Sequence, residues 1–452
     1  MCKGAIIFPS ECYFDEMEVV MQVKRDVFLN RLIARKQNGM VKVITGLRRC
    51  GKSYLLSVLY KNYLLSQNVA DDHIIEIALD EAENYKYHNP LKLDSFIKEK
   101  IKDNDTYYVF IDEIQYVKKI KVKDEQLDEA EEITFYSVLN SLMRRHNIDL
   151  YVTGSNSKML SNDIRTEFRG RGDEVHITPF TFSEFMQVYD GDVRDGWEEY
   201  LVYGGLPLAV MALDHESKSR YLKNLFEETY LKDVVERNKI RKPESLSEVL
   251  DVLASSIGSL TNPLKIENTF KTVRHTILKS KTISSYIAKL KDSFLIDEAR
   301  RYNIKGRKYI SAQTKFYFSD VGLRNARLGF RQLEETHIME NIIYNELKVQ
   351  GFDVDVGIVE KHEKNEEKHG CKRQLEIDFV ANRGNKRFYI QSALSIDDLE
   401  KAQQEKRSLS NIDDSFRKLI IVGGKKPAYI DESGYVIVGV INFLLSPDEY
   451  LV

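Results

Sequence analysis

Cysteine is scarce in this chain, and long apolar runs are missing. The 452 residues include four cysteines, at positions 2, 12, 50 and 371, and this spacing fits neither a zinc site nor a disulfide framework. The first twenty residues interrupt their apolar run with proline and acidic side chains. No segment approaches the roughly 20 apolar residues that a membrane helix needs. We therefore expect a cytoplasmic protein with no membrane partner.

An excess of charge of either sign is also missing. Lys and Arg number 67 and Asp and Glu number 70, which gives a net charge of -3. A near-neutral chain has no global field that attracts nucleic acid, so any DNA contact has to come from a local patch. Hydrophobic residues make up 42% and charged residues 30%. The length and this composition favour two or three globular domains, each with its own core.

Hydrophobic periodicity predicts an α/β fold for the first half of the chain. Residues 40–112 alternate short apolar runs with helical segments, which is typical of βαβ units and a parallel sheet flanked by helices. Another apolar strand follows at 148–154. From 215 to 300 the pattern becomes helical, with long amphipathic segments.

A phosphate-binding motif lies between the first strand and the first helix of this pattern. The run GLRRCGKS at 46–53 fits G-x-x-x-x-G-K-[ST]. We expect Lys52 to reach the β- and γ-phosphates of ATP and Ser53 to bind Mg²⁺ at the helix N-terminus. The predicted nucleotide-binding residues are Gly46, Leu47, Arg48, Arg49, Cys50, Gly51, Lys52, Ser53 and Tyr54.

A second motif supplies carboxylates. The apolar strand YYVFI ends in Asp112 and Glu113, and ligands collect at the carboxyl ends of strands in open α/β sheets. We expect Asp112 to hold Mg²⁺ and Glu113 to polarise the attacking water. At the end of the next strand, Asn156 is the candidate for a sensor between Glu113 and the γ-phosphate.

Arginines follow in a glycine-containing loop, and Cys50 lies inside the phosphate motif. Arg169 and Arg171, ahead of Arg165, are candidates for an arginine finger, because guanidinium stabilises the charge on a transferred phosphoryl group. The alternative is that they are ordinary surface residues. Cys50 is either a redox switch, since helix N-termini lower thiol pKa, or a loop residue without a role.

The segment 282–320 has the order of elements of a winged helix, with a recognition helix at 282–292. Basic residues interleave there with Tyr286, Tyr302 and Tyr309, as a nucleic-acid grip requires. Protein docking is the alternative, with the charges solvating the surface. The basic residues are Lys279, Lys281, Lys289, Lys291, Arg300, Arg301, Lys305, Arg307 and Lys308.

The motifs GLRRCGKS, FIDEIQ, VTGSNS, FRGR and PFTFSEF together resemble a family of bacterial and archaeal AAA-like P-loop ATPases. In that family the ATPase core precedes a winged-helix region and a restriction-endonuclease-like tail. The resemblance implies an ATPase domain at 1–210, a helical and winged-helix domain at 211–334, and a restriction-endonuclease-like α/β domain at 335–452.

The tail departs from the nuclease pattern that this resemblance implies. Such nucleases use a carboxylate on one strand and a (D/E/Q)-x-K pair on the next. The equivalents are Asp378 and Gln391, with Glu346 on the leading helix, but Ala393 stands where lysine is expected. Unless Lys401 or Lys406 substitutes for that lysine, we expect a degenerate module that does not cleave DNA.

Three functions stay open from the sequence. The first is an ATP-hydrolysing protein that couples turnover to DNA engagement through the winged-helix and C-terminal domains. The second is a nucleotide-controlled switch that binds a protein partner and hydrolyses slowly. The third is an ATPase-coupled nuclease. An arginine finger that acts on a neighbouring copy would in addition require a homo-oligomer.

Overall fold

The computed structural model describes residues 22–123, 130–154, 170–273, 277–364 and 370–452. Three of the predicted positions, Asn156, Arg165 and Arg169, lie outside these ranges. Within the described ranges, no helix combines the length and the apolar character that a bilayer crossing requires.

The N-terminal part is built on a parallel sheet. Within the described ranges its five strands have the order β2-β3-β6-β1-β7, and β4 and β5 form a separate hairpin. β1 is buried along its whole length, as expected for a central strand covered on both faces. The strands are β1 (Val41–Gly46), β2 (Ile74–Ala78), β3 (Tyr107–Asp112), β4 (Ile120–Lys123), β5 (Ala130–Ile133), β6 (Ile148–Thr153) and β7 (Gly172–Ile177).

Helices cover both faces of this sheet, which confirms the predicted α/β arrangement. Their starts are set locally: Asn89 caps α3 with Pro90 in the first turn, and Thr181 and Glu184 form a capping box on α5. The helix after the phosphate loop, α2, begins as Lys52–Tyr54, continues with π-type turns at Leu55–Tyr60 and ends as Lys61–Ser66. The others are α1 (Asp26–Ala34), α3 (Pro90–Lys100), α4 (Phe135–Leu142) and α5 (Phe182–Phe185), with 3₁₀ turns at Asp71–His73, Ala82–His88 and Ile114–Tyr116.

A helical region follows, as the amphipathic pattern predicts. Its longest member, α8, is capped by Asp214, and runs as His215–Asn224, then π-type turns at Leu225–Leu231, then Lys232–Arg237. The predicted recognition helix is α11, which begins two residues earlier than expected. The remaining helices are α6 (Val193–Tyr203), α7 (Pro207–Val210), α9 (Pro243–Ser255), α10 (Pro263–Val273) and α11 (Ser280–Asp292).

The C-terminal part is a mixed sheet. Its eight strands in the described ranges have the order β14-β15-β13-β12-β11-β10-β8-β9. They are β8 (Ile296–Asn303), β9 (Lys308–Phe318), β10 (Asp353–Lys364), β11 (Gly370–Arg383), β12 (Lys386–Ala393), β13 (Arg417–Val422), β14 (Tyr429–Ile430) and β15 (Val436–Gly439). The helices are α12 (Val321–Arg327), α13 (Glu335–Val349), α14 (Leu399–Leu409), α15 (Val440–Leu445) and α16 (Pro447–Tyr450).

The hairpin predicted as the wing is part of this C-terminal sheet. β8 pairs with β9 in antiparallel fashion and with β10 in parallel fashion, where Val356, Gly357 and Ile358 face 301–303. The expected boundary between residues 334 and 335 therefore crosses a continuous hydrogen-bonded sheet. One apolar cluster also joins all three regions of the chain, from Phe28 in α1 to Phe379 in β11. The division into three domains stays a prediction.

Candidate functional site

The phosphate loop turns sharply from β1 into α2, and its backbone depends on glycine. Gly46 and Gly51 have φ angles of 141° and 96°, which residues with side chains rarely adopt. A Cβ atom at Gly46 would lie 2.1 Å from the carbonyl oxygen of Ile177. Arg49 also has a left-handed backbone, with φ 64°. The loop thus has the tight turn with which P-loop proteins surround phosphates.

Lys52 lies inside this loop. Its Nζ donates hydrogen bonds to the carbonyl oxygens of Gly46, at 3.2 Å, and Leu47, at 3.0 Å, and the residue is 4% exposed. Neutral carbonyls are weaker partners for an ammonium than charged phosphate oxygens are. We expect phosphate oxygens to replace them when a nucleotide enters the loop.

Arg25 supports the phosphate loop from the protein interior. It is completely buried, and its Nη1 donates to the carbonyl oxygen of Cys50 at 2.8 Å. Nε and Nη2 form a two-pronged ion pair with Glu184, and Nη2 also donates to the carbonyl oxygen of Thr178 at 2.8 Å. The guanidinium therefore fixes the loop against α5. Sequence reasoning missed Arg25, because it precedes the first apolar strand and belongs to no motif.

Asp112, Ser53 and Thr153 meet at the ends of neighbouring strands. Ser53 Oγ donates to Asp112 Oδ2 at 2.6 Å, and Thr153 Oγ1 donates to Asp112 Oδ1. Mg²⁺ prefers oxygen ligands, usually one or two carboxylates together with water and phosphate. Ser53 and Asp112 offer such a set beside the phosphate loop, so the residues present fit Mg²⁺. Thr153 was part of a predicted motif, but its contact with Asp112 was not expected.

Glu113 has a strained backbone, with φ and ψ both 52°. Its N–H donates to Thr153 Oγ1 at 3.0 Å, and its carboxylate accepts a hydrogen bond from Gln115 Nε2. Burial raises the pKa of Glu113, while the nearby charge of Lys52 acts to lower it. Left-handed backbone in a residue other than glycine is concentrated at functional sites. Here it aims the carboxylate into the cleft beside Lys52.

The cleft over the phosphate loop has a volume of about 370 Å³. Lys52 and Glu113 line one side, and Pro207 and Leu208 from α7 line another. α7 belongs to the helical region, so residues far apart in the sequence close this cleft. Its apolar wall carried no sequence signal, because Pro207 and Leu208 belong to none of the predicted motifs.

Arg171 lies at the amino ends of the strands, whereas the phosphate loop lies at their carboxyl ends. Its carbonyl oxygen accepts a hydrogen bond from the N–H of Val41, which begins β1, whereas Gly46 ends β1. Five steps along a strand separate these two ends by roughly 16 Å. Arg171 therefore does not reach phosphates bound in its own chain. A finger role for it requires a neighbouring copy and stays a prediction, as do the roles of Arg169 and Asn156.

Cys50 is completely buried, and burial raises the pKa of its thiol, although Lys52 and Arg25 act in the opposite direction. A thiol with a raised pKa holds little thiolate and reacts slowly with oxidants. Its surroundings therefore do not supply what a redox switch needs.

A second cluster of charges lies on the C-terminal sheet. Lys315 of β9 places Nζ 2.8 Å from Glu340, 2.9 Å from Glu376 and 3.2 Å from Asp378. Burial lowers the pKa of Lys315, but the three carboxylates outweigh it and hold the pKa above its usual value. Tyr317 Oη donates to Glu340 at 2.6 Å. The cluster joins β9, α13 and β11.

Glu346 does not belong to this cluster, contrary to the grouping expected from the sequence. It accepts a hydrogen bond from Gln350 and lines a small cavity with Asp320 and residues 178–182 of the N-terminal part. Six residues separate it from Glu340, or about 600° of helical rotation, so the two carboxylates lie on different faces of α13. Glu340 is the helix carboxylate beside Asp378.

The lysines proposed as substitutes for Ala393 also lie elsewhere. Lys406 forms an ion pair with Asp431 at 2.7 Å, and Lys401 is exposed. Gln391 accepts a hydrogen bond from Ser408 of α14 at 3.4 Å. The ammonium beside Asp378 is instead that of Lys315, which lies 63 residues earlier in the chain and was not predicted.

The basic residues of the expected DNA grip are partly neutralised. Lys291 pairs with Glu298, and Lys305 lies 3.7 Å from Asp413. Arg301 is 8% exposed and donates to Gln374 at 2.9 Å. Six of the nine basic residues are exposed at the surface, namely Lys279, Lys281, Arg300, Lys305, Arg307 and Lys308.

Comparison with known families agrees with the N-terminal site. A family described as an AAA domain matches residues 38–186, and a domain of unknown function (DUF8612) matches residues 194–334. The first match contains the phosphate loop, Asp112, Glu113 and all five strands of the parallel sheet. Residues 38–186 are therefore similar to an AAA domain and contain the parallel sheet and the phosphate loop described above.

Relatives match almost the whole chain. An uncharacterized protein of Haemophilus influenzae is 30% identical over 429 residues, which cover 94% of this chain and 98% of that protein. An uncharacterized protein of Methanocaldococcus jannaschii is 28% identical over 454 residues, which cover 96% and 91%. The chain belongs to the same family as the Haemophilus influenzae protein.

Solved structures are more distant. AMPPCP-bound DnaA from Aquifex aeolicus has 14% identity and a TM-score of 0.27, covering 58% of this chain and 85% of that chain. Similarity at this level carries no information about ligands or partners.

Proposed function

We propose that the N-terminal part of the chain binds ATP with Mg²⁺ and hydrolyses the γ-phosphate. The observation that carries the proposal is that four side chains converge at the carboxyl ends of two strands of the sheet. Lys52 and Ser53 follow β1, Asp112 is the last residue of β3, and Glu113 follows it. Phosphoryl transfer depends mainly on positioning and on charge stabilisation, and these four residues supply both.

In the proposed reaction Lys52 binds oxygens of the β- and γ-phosphates. Ser53 and Asp112 hold Mg²⁺, which neutralises charge on the phosphate oxygens when it is bound. Glu113 accepts a proton from the attacking water, and burial, by raising its pKa, makes it a stronger base. The water oxygen forms a bond to the γ-phosphorus, the bond to the bridging oxygen breaks, and its electron pair leaves with ADP.

The test separates binding from turnover. Lys52→Ala should abolish ATP binding measured by titration calorimetry, because the ammonium is the main side-chain charge that faces the phosphates. Glu113→Gln should keep ATP affinity and lose phosphate release. Equal ATP affinity in the wild type and in Lys52→Ala would remove the basis of the proposed phosphate site.

We propose DNA as the macromolecule to which turnover is coupled. The exposed Lys281, Arg307 and Lys308 around α11 and the β8–β9 turn support this proposal. Each phosphate contact adds about -0.9 to the slope of log affinity against log salt for duplex DNA. Replacing Arg307 and Lys308 with alanine should flatten that slope by about two.

A switch that binds a protein partner is the competing proposal. It is supported by the ion pairs of Lys291 and Lys305 and by the burial of Arg301, which make these cations less available to DNA phosphates. An ATPase rate that does not respond to DNA, together with no DNA binding at about 50 mM salt, would favour this switch. Native mass measurement with and without ATP would show whether copies assemble, as a finger role for Arg171 requires.

The third possibility, an ATPase-coupled nuclease, rests on the ammonium of Lys315 beside Asp378. We propose that the tail does not cleave DNA. Three carboxylates already surround that ammonium, so it is not free to stabilise a phosphodiester, and Ala393 adds no charge.

A further inference from the structure

Two consecutive arginines in the phosphate loop, Arg48 and Arg49, line the nucleotide cleft together with Lys52 and Glu113. Within the described ranges, no other arginine lines this cleft. The charge of Arg48 acts to lower the pKa of Glu113 against the larger effect of burial. The side chains of Arg48 and Glu113 thus line the same cleft, which the proposed function assigns to the phosphates.

Arg48 is held by helix α8. Its carbonyl oxygen accepts a hydrogen bond from Tyr230 Oη at 2.7 Å, and its Nη1 lies 3.8 Å from Asp233 Oδ2. The arginine side chain is 43% exposed and that of Asp233 is 35% exposed. A pair with this separation and exposure is weak. The backbone of Arg48 is thus fixed to α8, while only a weak pair holds its guanidinium beside Asp233.

Asp233 has a second partner that stays when Arg48 leaves. Arg237 lies one turn further along α8 and donates to Asp233 Oδ2 at 2.9 Å. The shorter distance makes Arg237 the better partner. When the guanidinium of Arg48 moves away, Asp233 therefore keeps an ion-pair partner. A triphosphate carries several negative charges and competes well for that guanidinium.

We propose that Arg48 is the catalytic arginine of its own chain, and that Asp233 holds its guanidinium away from the phosphates until ATP binds. This inference rests on the proposed ATPase function. As the water oxygen bonds to the γ-phosphorus and the bridging oxygen leaves with ADP, negative charge is spread over the non-bridging oxygens of the transferred phosphoryl group. The fork of a guanidinium matches two such oxygens. The same movement breaks the pair between Arg48 and Asp233 of α8. The binding of ATP is thereby linked to the helical region.

The experiment compares turnover, ATP affinity and affinity for ADP with aluminium fluoride, a mimic of the transferred phosphoryl group. Arg48→Ala should lower single-turnover hydrolysis by roughly 10³-fold and leave ATP affinity within about threefold. It should bind ADP like the wild type and lose the gain in affinity that aluminium fluoride brings. Arg48→Lys keeps the charge but not the planar fork of the guanidinium. Its turnover rate and its affinity for the aluminium fluoride complex should therefore lie between those of the wild type and those of Arg48→Ala.

Asp233→Asn should leave ATP affinity within about threefold and raise the single-turnover rate severalfold, because the guanidinium no longer has to leave a carboxylate. Arg220→Ala is the matched control, since it breaks an exposed pair with Glu216 on the same helix and neither residue lines the cleft, so its turnover rate should stay at the wild-type value. Wild-type turnover in Arg48→Ala and Arg48→Lys, or an equal loss of affinity for ADP and for the mimic, would overturn the inference alone. Failure of the wild type to bind or hydrolyse ATP would overturn the proposed function as well.

Discussion

Replacing Arg25 with methionine tests how the phosphate loop is supported. The side chain is completely buried, so methionine fills much of its volume but removes the guanidinium. Glu184, which is 5% exposed, would keep a charge without a partner. The carbonyl oxygens of Cys50 and Thr178 would lose donors that lie 2.8 Å away.

The expected loss of stability is large. Removing one partner of a buried ion pair costs about 3–5 kcal/mol, because the remaining charge stays desolvated. The lost hydrogen bonds to carbonyl oxygens overlap with that term, so we expect the free energy of unfolding to fall by about 4 kcal/mol. Glu184→Gln added to Arg25→Met should recover about 1–2 kcal/mol, since it removes the unpaired charge and keeps an acceptor for the α5 cap.

Urea unfolding followed by tryptophan fluorescence measures this loss close to the change. Trp197 is the single tryptophan, and its ring lies 5.5 Å from that of Phe182 in α5. Arg35→Met is the matched control. Its pair with Asp173 is partly exposed and should contribute at most about 1 kcal/mol. A loss in Arg25→Met no larger than in Arg35→Met would refute the buried ion pair as the support of the loop.

Two further predictions concern buried carboxylates. Burial raises the pKa of Glu346 to about 7 and that of Asp320 to about 6, so the folded chain holds these protons more tightly than the unfolded chain. Their contribution to stability should be complete below about pH 4 and be lost as pH rises toward 7. Glu346→Gln should flatten this decline by up to about 1.4 kcal/mol per pH unit between pH 5 and 7, measured by urea unfolding at each pH; an unchanged slope would contradict the raised pKa. In the tail, no DNA cleavage is expected with Mg²⁺ or Mn²⁺ on linear, supercoiled or single-stranded DNA, and metal-dependent cleavage that disappears in Asp378→Ala but survives Lys52→Ala would contradict this.

Local patterns predicted the parts of the site that lie on short stretches of chain. The motif around Lys52 needs only a strand, a turn and a helix in succession, and Asp112 and Glu113 follow from the rule that parallel strands deliver ligands at their carboxyl ends. These positions therefore needed no knowledge of distant contacts.

The unpredicted residues depend on contacts between distant segments. Arg25 meets Glu184 across about 160 residues, and Tyr230 meets Arg48 across about 180. Lys315 reaches Asp378 through the order of strands in the sheet, which periodicity does not reveal. The sequence shows that α13 carries carboxylates but not which face of the helix is turned to β11, so it could not reveal that Glu340, and not Glu346, lies in the cluster with Asp378.

The parallel pairing of β8 with β10 bears on how the protein can be dissected. A fragment that stops at residue 334 keeps β8 and β9 but loses the strand that covers the other edge of β8. Backbone groups at 301–303, which hydrogen-bond to β10 in the whole chain, would then be open to any extended segment. Such edges promote aggregation. Expressing the first two regions without the tail should therefore yield a protein that aggregates. A truncation that ends before β8 begins should stay soluble more readily.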